Sequence, residues 1–272
     1  MVGLDLGERS LGALAFGHWL AAHEPVDAVY VLEAWSRPYV ASDVVATVQR
    51  AVARSAALLS VPLPARVTVL EGSHAEDTLA QAAEGARGLV IGRVARAGQG
   101  GMVRLGHVAR RLLRTLPGPV VVVPRDLTAV APGPVLLATD LGEASAGALR
   151  FATELAARHG QPLELVHVGE ARHSTLIDAL EPTWLAAHEA FGSGVEGLFE
   201  RWARACGLER LPRHLVWGDP ATEIAGVAAM RAAALVVVGS RRLGAAARLF
   251  LSSTASGLAA SATCPVAVVA PA

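Results

Sequence analysis

The sequence contains a long internal repeat. The segment DLGERSLGALAFGHWLAA begins at Asp5, and DLGEASAGALRFATELAA begins at Asp140, so the two are offset by 135 residues. They match at 12 of 18 aligned positions. A repeat this long exceeds the period of a solenoid and indicates two copies of one domain. We predict copy one over residues 1–126 and copy two over residues 133–272, with the proline-rich and glycine-containing segment PRDLTAVAPGP, residues 124–134, as the linker.

Each copy alternates short apolar runs with segments of helical spacing. The runs are MVGLD, AVYVLEAW, ARVTVLEG, GLVIGR and PVVVVP in copy one, and PVLLATD, LELVHV, RHLVW, ALVVVGS and PVAVVA in copy two. Continuous Val and Leu runs are typical of parallel strands buried on both faces. The pattern predicts an α/β fold with two Rossmann-like or flavodoxin-like domains, each a five-stranded parallel sheet flanked by helices. The last run of each copy carries no charge and would be hazardous as an exposed edge, so we expect the copies to pack through these strands as an intramolecular pseudo-dimer.

The composition excludes several classes of protein. The chain is 53% hydrophobic, 18% charged and formally neutral, which indicates a globular protein and disfavours nucleic acid as a partner. No apolar run reaches the length of about 18 residues that a membrane span needs. With two cysteines and no secretory signal, we expect a cytoplasmic protein with reduced thiols. All 24 basic residues are arginine, so Walker-type phosphate loops and Schiff-base chemistry are excluded for lack of lysine.

Polar residues end two predicted strands of copy two, at Asp140 and at Gly239-Ser240. Ligands of parallel α/β sheets bind outside the carboxyl ends of the strands. A carboxylate there can accept hydrogen bonds from a ribose or an adenine amine, and a glycine before a helix lets backbone amides approach a phosphate. The hydroxyl residues that follow could donate to phosphate: Ser252, Ser253 and Thr254. The alternatives are that Asp140 only caps the next helix and that the serines only cap theirs.

The whole chain resembles a tandem universal stress protein. Nucleotide-binding members of that family carry an aspartate at the end of the first strand and a Gly-x-x-Gly-(nine residues)-Gly-Ser/Thr loop after the fourth. In GSRRLGAAARLFLSST the loop spacing is intact, but Arg242 and Ser252 stand at the second and third glycine positions. The resemblance implies ATP or AMP, with Mg²⁺, as candidate ligands, and a nucleotide site formed by Asp140, Val168, Gly239, Ser240, Arg242, Ser252, Ser253 and Thr254. We predict that this loop keeps an anion site with weak or altered nucleotide binding.

Copy one departs further from the family pattern. Asp5 and Gly92 match, but Gly106 stands one residue too late and His107 replaces the hydroxyl residue. We therefore predict that this equivalent site is degenerate and binds no nucleotide. No acidic residue occurs between Glu84 and Asp126, and this favours either an anion or an acidic partner, or a solvated helix face. The loop and its helix hold six arginines: Arg93, Arg96, Arg104, Arg110, Arg111 and Arg114.

Three functions are compatible with these residues. The first is a stress-response protein that binds an adenine nucleotide or phosphate and acts through an unknown protein partner, as the tandem pair or as a homodimer of it. The second is an interaction or structural module that has lost its ligand. The third is an enzyme such as a slow ATPase, which ranks last because no lysine and no clear general base is present. We assign no catalytic residue, and the histidines show no metal-binding spacing.

Overall fold

A computed structural model describes residues 1–7, 9–39, 43–97, 103–142, 145–169, 181–240 and 253–271. Copy one contains β1 (Val2–Leu4), α1 (Arg9–Ala21), β2 (Asp27–Glu33), a 3₁₀ helix (Ala34–Tyr39), α2 (Val44–Leu59), β3 (Arg66–Gly72), α3 (Ala75–Ala82), β4 (Leu89–Gly92), β5 (Ala95–Ala97), β6 (Val103–Leu105), α4 (His107–Thr115) and β7 (Val120–Val123). Copy two contains β8 (Val135–Ala138), α5 (Ser145–His159), β9 (Leu163–Gly169), α6 (Glu181–Ala205), β10 (Arg213–Trp217), α7 (Pro220–Met230), β11 (Leu235–Gly239), α8 (Ser253–Ser261) and β12 (Val266–Val269).

Ten of these strands form one continuous sheet in the order β10-β9-β8-β11-β12-β7-β4-β1-β2-β3. Within each copy all neighbouring strands of this sheet are parallel. The predicted α/β architecture with five parallel strands in each copy is therefore confirmed. In both copies the strand order reverses beside the first strand, between β1 and β4 and between β8 and β11, where such folds bind ligands.

The two copies are joined by their last strands. β12 pairs antiparallel with β7, and Val266 lies opposite Val122, Ala267 opposite Val121 and Val268 opposite Val120. The pairing is symmetric about the Val121–Ala267 pair, and both of these side chains are fully buried. The expected intramolecular pseudo-dimer is confirmed. As exposed edges, β7 and β12 could each promote aggregation. Paired with each other, they form hydrogen bonds between their backbone groups.

Helices cover both faces of the sheet because strand side chains alternate between two cores. Val135 and Leu137 face the core that contains α1, α5 and α6, whereas Leu136 and Ala138 face the core that contains α3, α4, α7 and α8. Each of the two cores contains helices from both copies, so both cores are continuous across the junction. This arrangement gives the molecule a pseudo-twofold axis at the centre of the sheet.

Two local features differ from the sequence pattern. The loop after β4 contains a small antiparallel ribbon of β5 and β6, which the spacing did not predict. α6 continues through Gly192, although glycine is a poor helix former, because a glycine inside a long helix is tolerated at a cost of only about 1 kcal/mol. Among the described residues no helix is both long and apolar enough to cross a membrane.

Candidate functional site

Three of the predicted site residues of copy two lie at the same edge of the sheet. Ala138 of β8 pairs with Val238 of β11 and with Val166 of β9. Two residues further along each of these three segments, the same register places Asp140 level with Ser240 on one side and with Val168 on the other. The structure therefore brings the strand-end carboxylate together with the residues of the two neighbouring strands, at the point where strand order reverses.

The Asp140 carboxylate is exposed but anchored by hydrogen bonds. Its Oδ1 accepts a hydrogen bond from the Gly142 amide at 3.0 Å and another from the Ser145 hydroxyl at 2.9 Å. The intervening Leu141 adopts a left-handed conformation with φ of 61°, which turns the chain sharply into α5. Hydrogen bonds of this kind stabilise the ionised carboxylate and fix its direction. Asp140 thus organises the turn before α5 and presents its carboxylate at the sheet edge.

A second set of hydrogen bonds supports this turn from below. The Thr139 hydroxyl donates to Ser145 Oγ at 3.1 Å and accepts from the Leu141 amide at 2.9 Å. Nδ1 of His167 lies 2.8 Å from the Thr139 carbonyl oxygen, so this nitrogen carries the proton and donates. His167 also packs against Phe199 of α6, with ring centroids 5.7 Å apart. Burial of these polar groups with their partners satisfied makes the turn a rigid platform for Asp140.

The predicted phosphate loop of copy two is described only at its ends. Gly239 ends β11, and the Ser240 amide donates to the Val269 carbonyl at 2.8 Å, so this amide extends the sheet and is not directed at a ligand. Any contribution of Ser240 to a ligand therefore comes from its side chain. Ser253 is the first residue and Thr254 the second residue of α8. Arg242 and Ser252 lie outside the described residues.

Copy one reproduces the aspartate turn. Oδ1 of Asp5 accepts from the Gly7 amide at 2.9 Å and from the Ser10 hydroxyl at 2.6 Å, and Leu6 is left-handed with φ of 59°. The Ser10 hydroxyl in turn accepts from the Asp5 amide at 2.7 Å. The two copies therefore have matching strand-end carboxylates, and any functional difference between them arises elsewhere.

The difference lies at the start of the last helix of each copy. In copy one Gly106 precedes α4, and its amide donates to the Val94 carbonyl at 2.6 Å. A Cβ on Gly106 would lie 2.9 Å from the Val94 Cβ, so only glycine allows this close turn. His107, the first residue of α4, has Nδ1 3.5 Å from Oε1 of Glu76, a carboxylate that is only 4% exposed. A carboxylate from α3 thus lies at the helix start where the family pattern would put a phosphate.

The arginine-rich region of copy one is also engaged within the protein. Arg111 donates to both carboxylate oxygens of Asp77, at 3.1 and 3.2 Å, and its Nε lies 3.8 Å from Glu76. The acidic residues come from α3, so their absence between Glu84 and Asp126 in the sequence gave a misleading picture of the local charge. Arg110 and Arg114 remain exposed on α4, as the solvated-face alternative expected.

Arg93 of copy one forms a link to copy two. Its Nη1 donates to the Ala262 carbonyl at 2.6 Å, at the carboxyl end of α8. Burial lowers the pKa of the Arg93 guanidinium, and the nearby Asp126 and Cys264 oppose that shift. Cys264 is itself buried, which raises the pKa of its thiol to about 11 and keeps it neutral. A cation at the negative end of a helix is favourable, so Arg93 fastens copy one to the last helix of copy two.

The matching place in copy two holds a small apolar residue. Glu76 is the second residue of α3, and Ala221 is the second residue of α7. Arg111 is the fifth residue of α4, and Gly257 is the fifth residue of α8. Ala221 and Gly257 are in close contact, since a Cβ added to Gly257 would lie 3.0 Å from the Ala221 Cβ. The acid-and-arginine pair of copy one is therefore replaced in copy two by a direct contact between helices.

The predicted site residues did not include Ser10, Ser145 or Glu76. The two serines could have been found, because both copies repeat Asp-Leu-Gly-Glu-x-Ser and conserve the serine five residues after the aspartate. Glu76 carries no such signal, since its role depends on how α3 packs against α4.

Comparison with known proteins supports a family assignment. The model of the Universal stress protein family matches residues 1–124 and again residues 133–270. A universal stress protein of Mycolicibacterium smegmatis is 34% identical over 202 residues, which are 71% of this chain and 65% of that protein. The chain thus spans less than two thirds of that relative. A universal stress protein encoded beside a sulfhydrylase in Thermus aquaticus is 35% identical over 138 residues, 50% of this chain and 96% of that protein.

Solved structures show the same fold. A universal stress protein from Archaeoglobus fulgidus superimposes with a TM-score of 0.66 and 19% identity, covering 100% of this chain and 98% of that one. A putative universal stress protein from Pseudomonas aeruginosa has a TM-score of 0.66 and 16% identity over 99% of this chain and 91% of that one. Because the family model accounts for both halves of the sequence, the chain belongs to the universal stress protein family and contains two of its domains in tandem.

Proposed function

We propose that the protein is a stress-response module in which copy two binds phosphate or the phosphate groups of an adenine nucleotide, and copy one does not. One observation carries this proposal. In copy one the first residue of the last helix, His107, lies 3.5 Å from the buried carboxylate of Glu76. The corresponding α7 position in copy two is Ala221, which packs against Gly257 in the second turn of α8 and brings no carboxylate there. An anion at a helix start is stabilised by the free amides and the helix dipole, but a neighbouring carboxylate repels it.

The residues of copy two divide the binding between them. Asp140, held by Gly142 and Ser145, would accept hydrogen bonds from the ribose or from the adenine amine. Val168 offers an apolar contact for the base at the adjacent strand. The start of α8, with the hydroxyl residues Ser253 and Thr254, would hold phosphate.

The altered loop is compatible with anion binding. Three arginines and no acid stand between Gly239 and Ser252 in the sequence: Arg241, Arg242 and Arg248. An arginine replacing a loop glycine costs about 1–2 kcal/mol if the position is left-handed. Charge-assisted hydrogen bonds from a guanidinium to phosphate contribute about 1.5–3 kcal/mol each, which can offset that cost. We therefore expect binding with altered preference rather than none, and we rank a slow ATPase as the last alternative.

Calorimetric titration of ATP, AMP and phosphate into the full chain tests the proposal. We expect Asp140→Ala to weaken the nucleotides more than phosphate, and Arg242→Glu to weaken all three. Asp5→Ala is the matched control, because it removes the same hydrogen bonds in copy one. Equal affinity in the wild type, Asp140→Ala and Arg242→Glu would place the ligand elsewhere. No binding of any of these anions at millimolar concentration would leave the interaction module as the function.

A further inference from the structure

A groove with a volume of about 860 Å³ lies between the two copies, away from the proposed anion site. One wall is the end of α1 with Leu20 and the following turn with Glu24, and the other is α5 with Arg150 and Phe151. The end of β12, at Ala270, forms part of the floor together with the first residues of several strands of copy one. The groove shares no residue with the aspartate turn or the start of α8.

The pseudo-twofold axis relates this groove to an equivalent surface of copy one, which the linker between the copies covers. The axis exchanges the ends of β7 and β12 and exchanges Gly12 of α1 with Gly147 of α5, 135 positions later in the repeat. After β7 the linker runs directly over Gly12. A Cβ on Gly12 would lie 2.7 Å from the Pro124 carbonyl oxygen and 3.3 Å from the Leu127 Cβ. At the related position after β12, Gly147 lines the open groove.

The exposure of the equivalent phenylalanines shows the effect of the linker. Leu127 and Val130 of the linker pack against the core that contains Phe16, and Phe16 is completely buried. Phe151, the repeat equivalent of Phe16, is only partly buried and lines the groove. An apolar surface that an extended segment covers in one half of the molecule is therefore open in the other half.

The charges in the groove restrict what could cover it. Glu24 pairs with Arg87 at 2.6 Å, and Glu154 pairs with Arg158 at 2.7 Å. Arg150 is exposed and, within the described part of the chain, forms no ion pair with an acidic residue. Its repeat equivalent is Ala15, which is buried. The open groove thus differs from the surface covered by the linker in having the Arg150 cation. An acidic group of a bound partner would neutralise this charge.

We propose that this groove binds an extended segment of a partner protein, with a bulky aliphatic side chain against Phe151 and an adjacent acidic residue against Arg150. The linker itself is the template for such a segment, since its Asp126-Leu127 pair combines both groups. Gly147 allows the partner backbone to approach α5 as closely as Pro124 and Leu127 approach α1. The partner is therefore recognised by an extended backbone and two side chains rather than by a folded surface.

The peptide PRDLTAVA, residues 124–131 of the chain, is a direct probe of the groove. We expect its titration into the ¹⁵N-labelled full chain to shift the amide resonances of Gly147, Phe151 and Leu20 at millimolar peptide. Gly147→Leu fills the groove while improving helix propensity, and should weaken the peptide at least tenfold. Gly194→Leu is the matched control, because Gly194 lies in α6 with open space around its Cα and outside the groove.

A charge variant tests the acidic contact independently of the groove's shape. Arg150→Glu should weaken binding of the peptide severalfold. A peptide with asparagine in place of aspartate should bind the wild type and Arg150→Glu with equal affinity. Shifts confined to other surfaces, equal binding to the wild type and Gly147→Leu, or no shift at millimolar peptide would each overturn the proposal. So would a concentration-dependent dimer of the chain that Gly147→Leu dissociates, because a second copy would then be the occupant.

Discussion

Copy one and copy two have the same turn at the end of their first strand and different surroundings at the start of their last helix. Asp5 and Asp140 each accept from a glycine amide and a serine hydroxyl. Beyond that turn, copy one places Glu76 beside α4, whereas copy two places Ala221 beside α8. Both copies therefore keep the residues that shape the turn, and under the proposed function a single residue of a neighbouring helix would decide whether an external anion is accepted.

Transferring the acid to copy two should give the largest effect. In Ala221→Glu a carboxylate would lie close to the start of α8, and a like charge about 4 Å from the anion costs about 4 kcal/mol in partly shielded surroundings. We expect phosphate affinity to fall about a thousandfold by calorimetry. Ala221→Gln has the same size without the charge and should retain most of the affinity. An equal loss in both variants would mean that space, not charge, distinguishes the copies.

Arg93 and Ser240 are equivalent positions at the start of the loops that follow β4 and β11. Arg93 makes a short hydrogen bond to the Ala262 carbonyl across the junction, so Arg93→Met should lower the free energy of unfolding by about 2 kcal/mol. Ser240→Ala should change it by less than about 0.5 kcal/mol, because the Ser240 contact with β12 is made by its backbone amide. Urea denaturation measures both. Similar values for the two variants would contradict a special linking role for Arg93.

The two aspartate turns should contribute equally to stability. Asp5→Ala and Asp140→Ala each remove the acceptor of a backbone amide and a serine hydroxyl, which we expect to cost about 1–2 kcal/mol by urea denaturation. Added ATP should raise the melting temperature of Asp5→Ala as it does that of the wild type, and should raise that of Asp140→Ala less. A loss of the ATP effect in Asp5→Ala would assign the nucleotide to copy one.

The smallest expected effect concerns the contact between α1 and α5. The two copies contribute different residues to this contact. His159 of α5 stacks on Trp19 of α1 with ring centroids 4.1 Å apart, whereas the repeat equivalent of His159 is Glu24. Burial lowers the pKa of both His159 and His18. The folded state therefore binds fewer protons than the unfolded state, and stability present above the unfolded pKa of about 6.5 is lost as the pH falls below it.

His159→Phe keeps the stacking and removes one titrating group. We expect its free energy of unfolding to decline less than that of the wild type between about pH 7.5 and about pH 5. Identical pH profiles would show that His159 does not contribute. At lower pH the wild type and the variant should decline together, because hydrogen bonds from Arg231 and His214 lower the pKa of Glu164 and its stabilising charge is lost as the pH falls.

The sequence predicts the features that depend on local pattern. The repeat and the apolar runs predict two five-stranded parallel sheets, and the uncharged last strands predict the β7–β12 junction, because periodicity and edge protection act along short segments. The strand-end position of Asp140 follows from the same pattern. These features need no knowledge of how distant helices meet.

Contacts between distant segments could not be predicted in this way. Arg93 reaches a carbonyl 169 positions away, and Glu76 meets His107 from another helix. The local excess of arginine after Glu84 favoured an anion or a solvated face, and only the packing of α3 against α4 reveals that Asp77 and Glu76 lie near Arg111. Side-chain partners across helices depend on packing geometry, which a linear charge count does not contain.

A crystal structure of the full chain with ATP or phosphate tests the central difference between the copies most directly. We expect an anion at the start of α8, with the nucleotide sugar or base beside Asp140, and none at the start of α4 beside His107 and Glu76. An anion bound at α4, or bound equally at both helix starts, would contradict the proposal that Glu76 distinguishes the two copies.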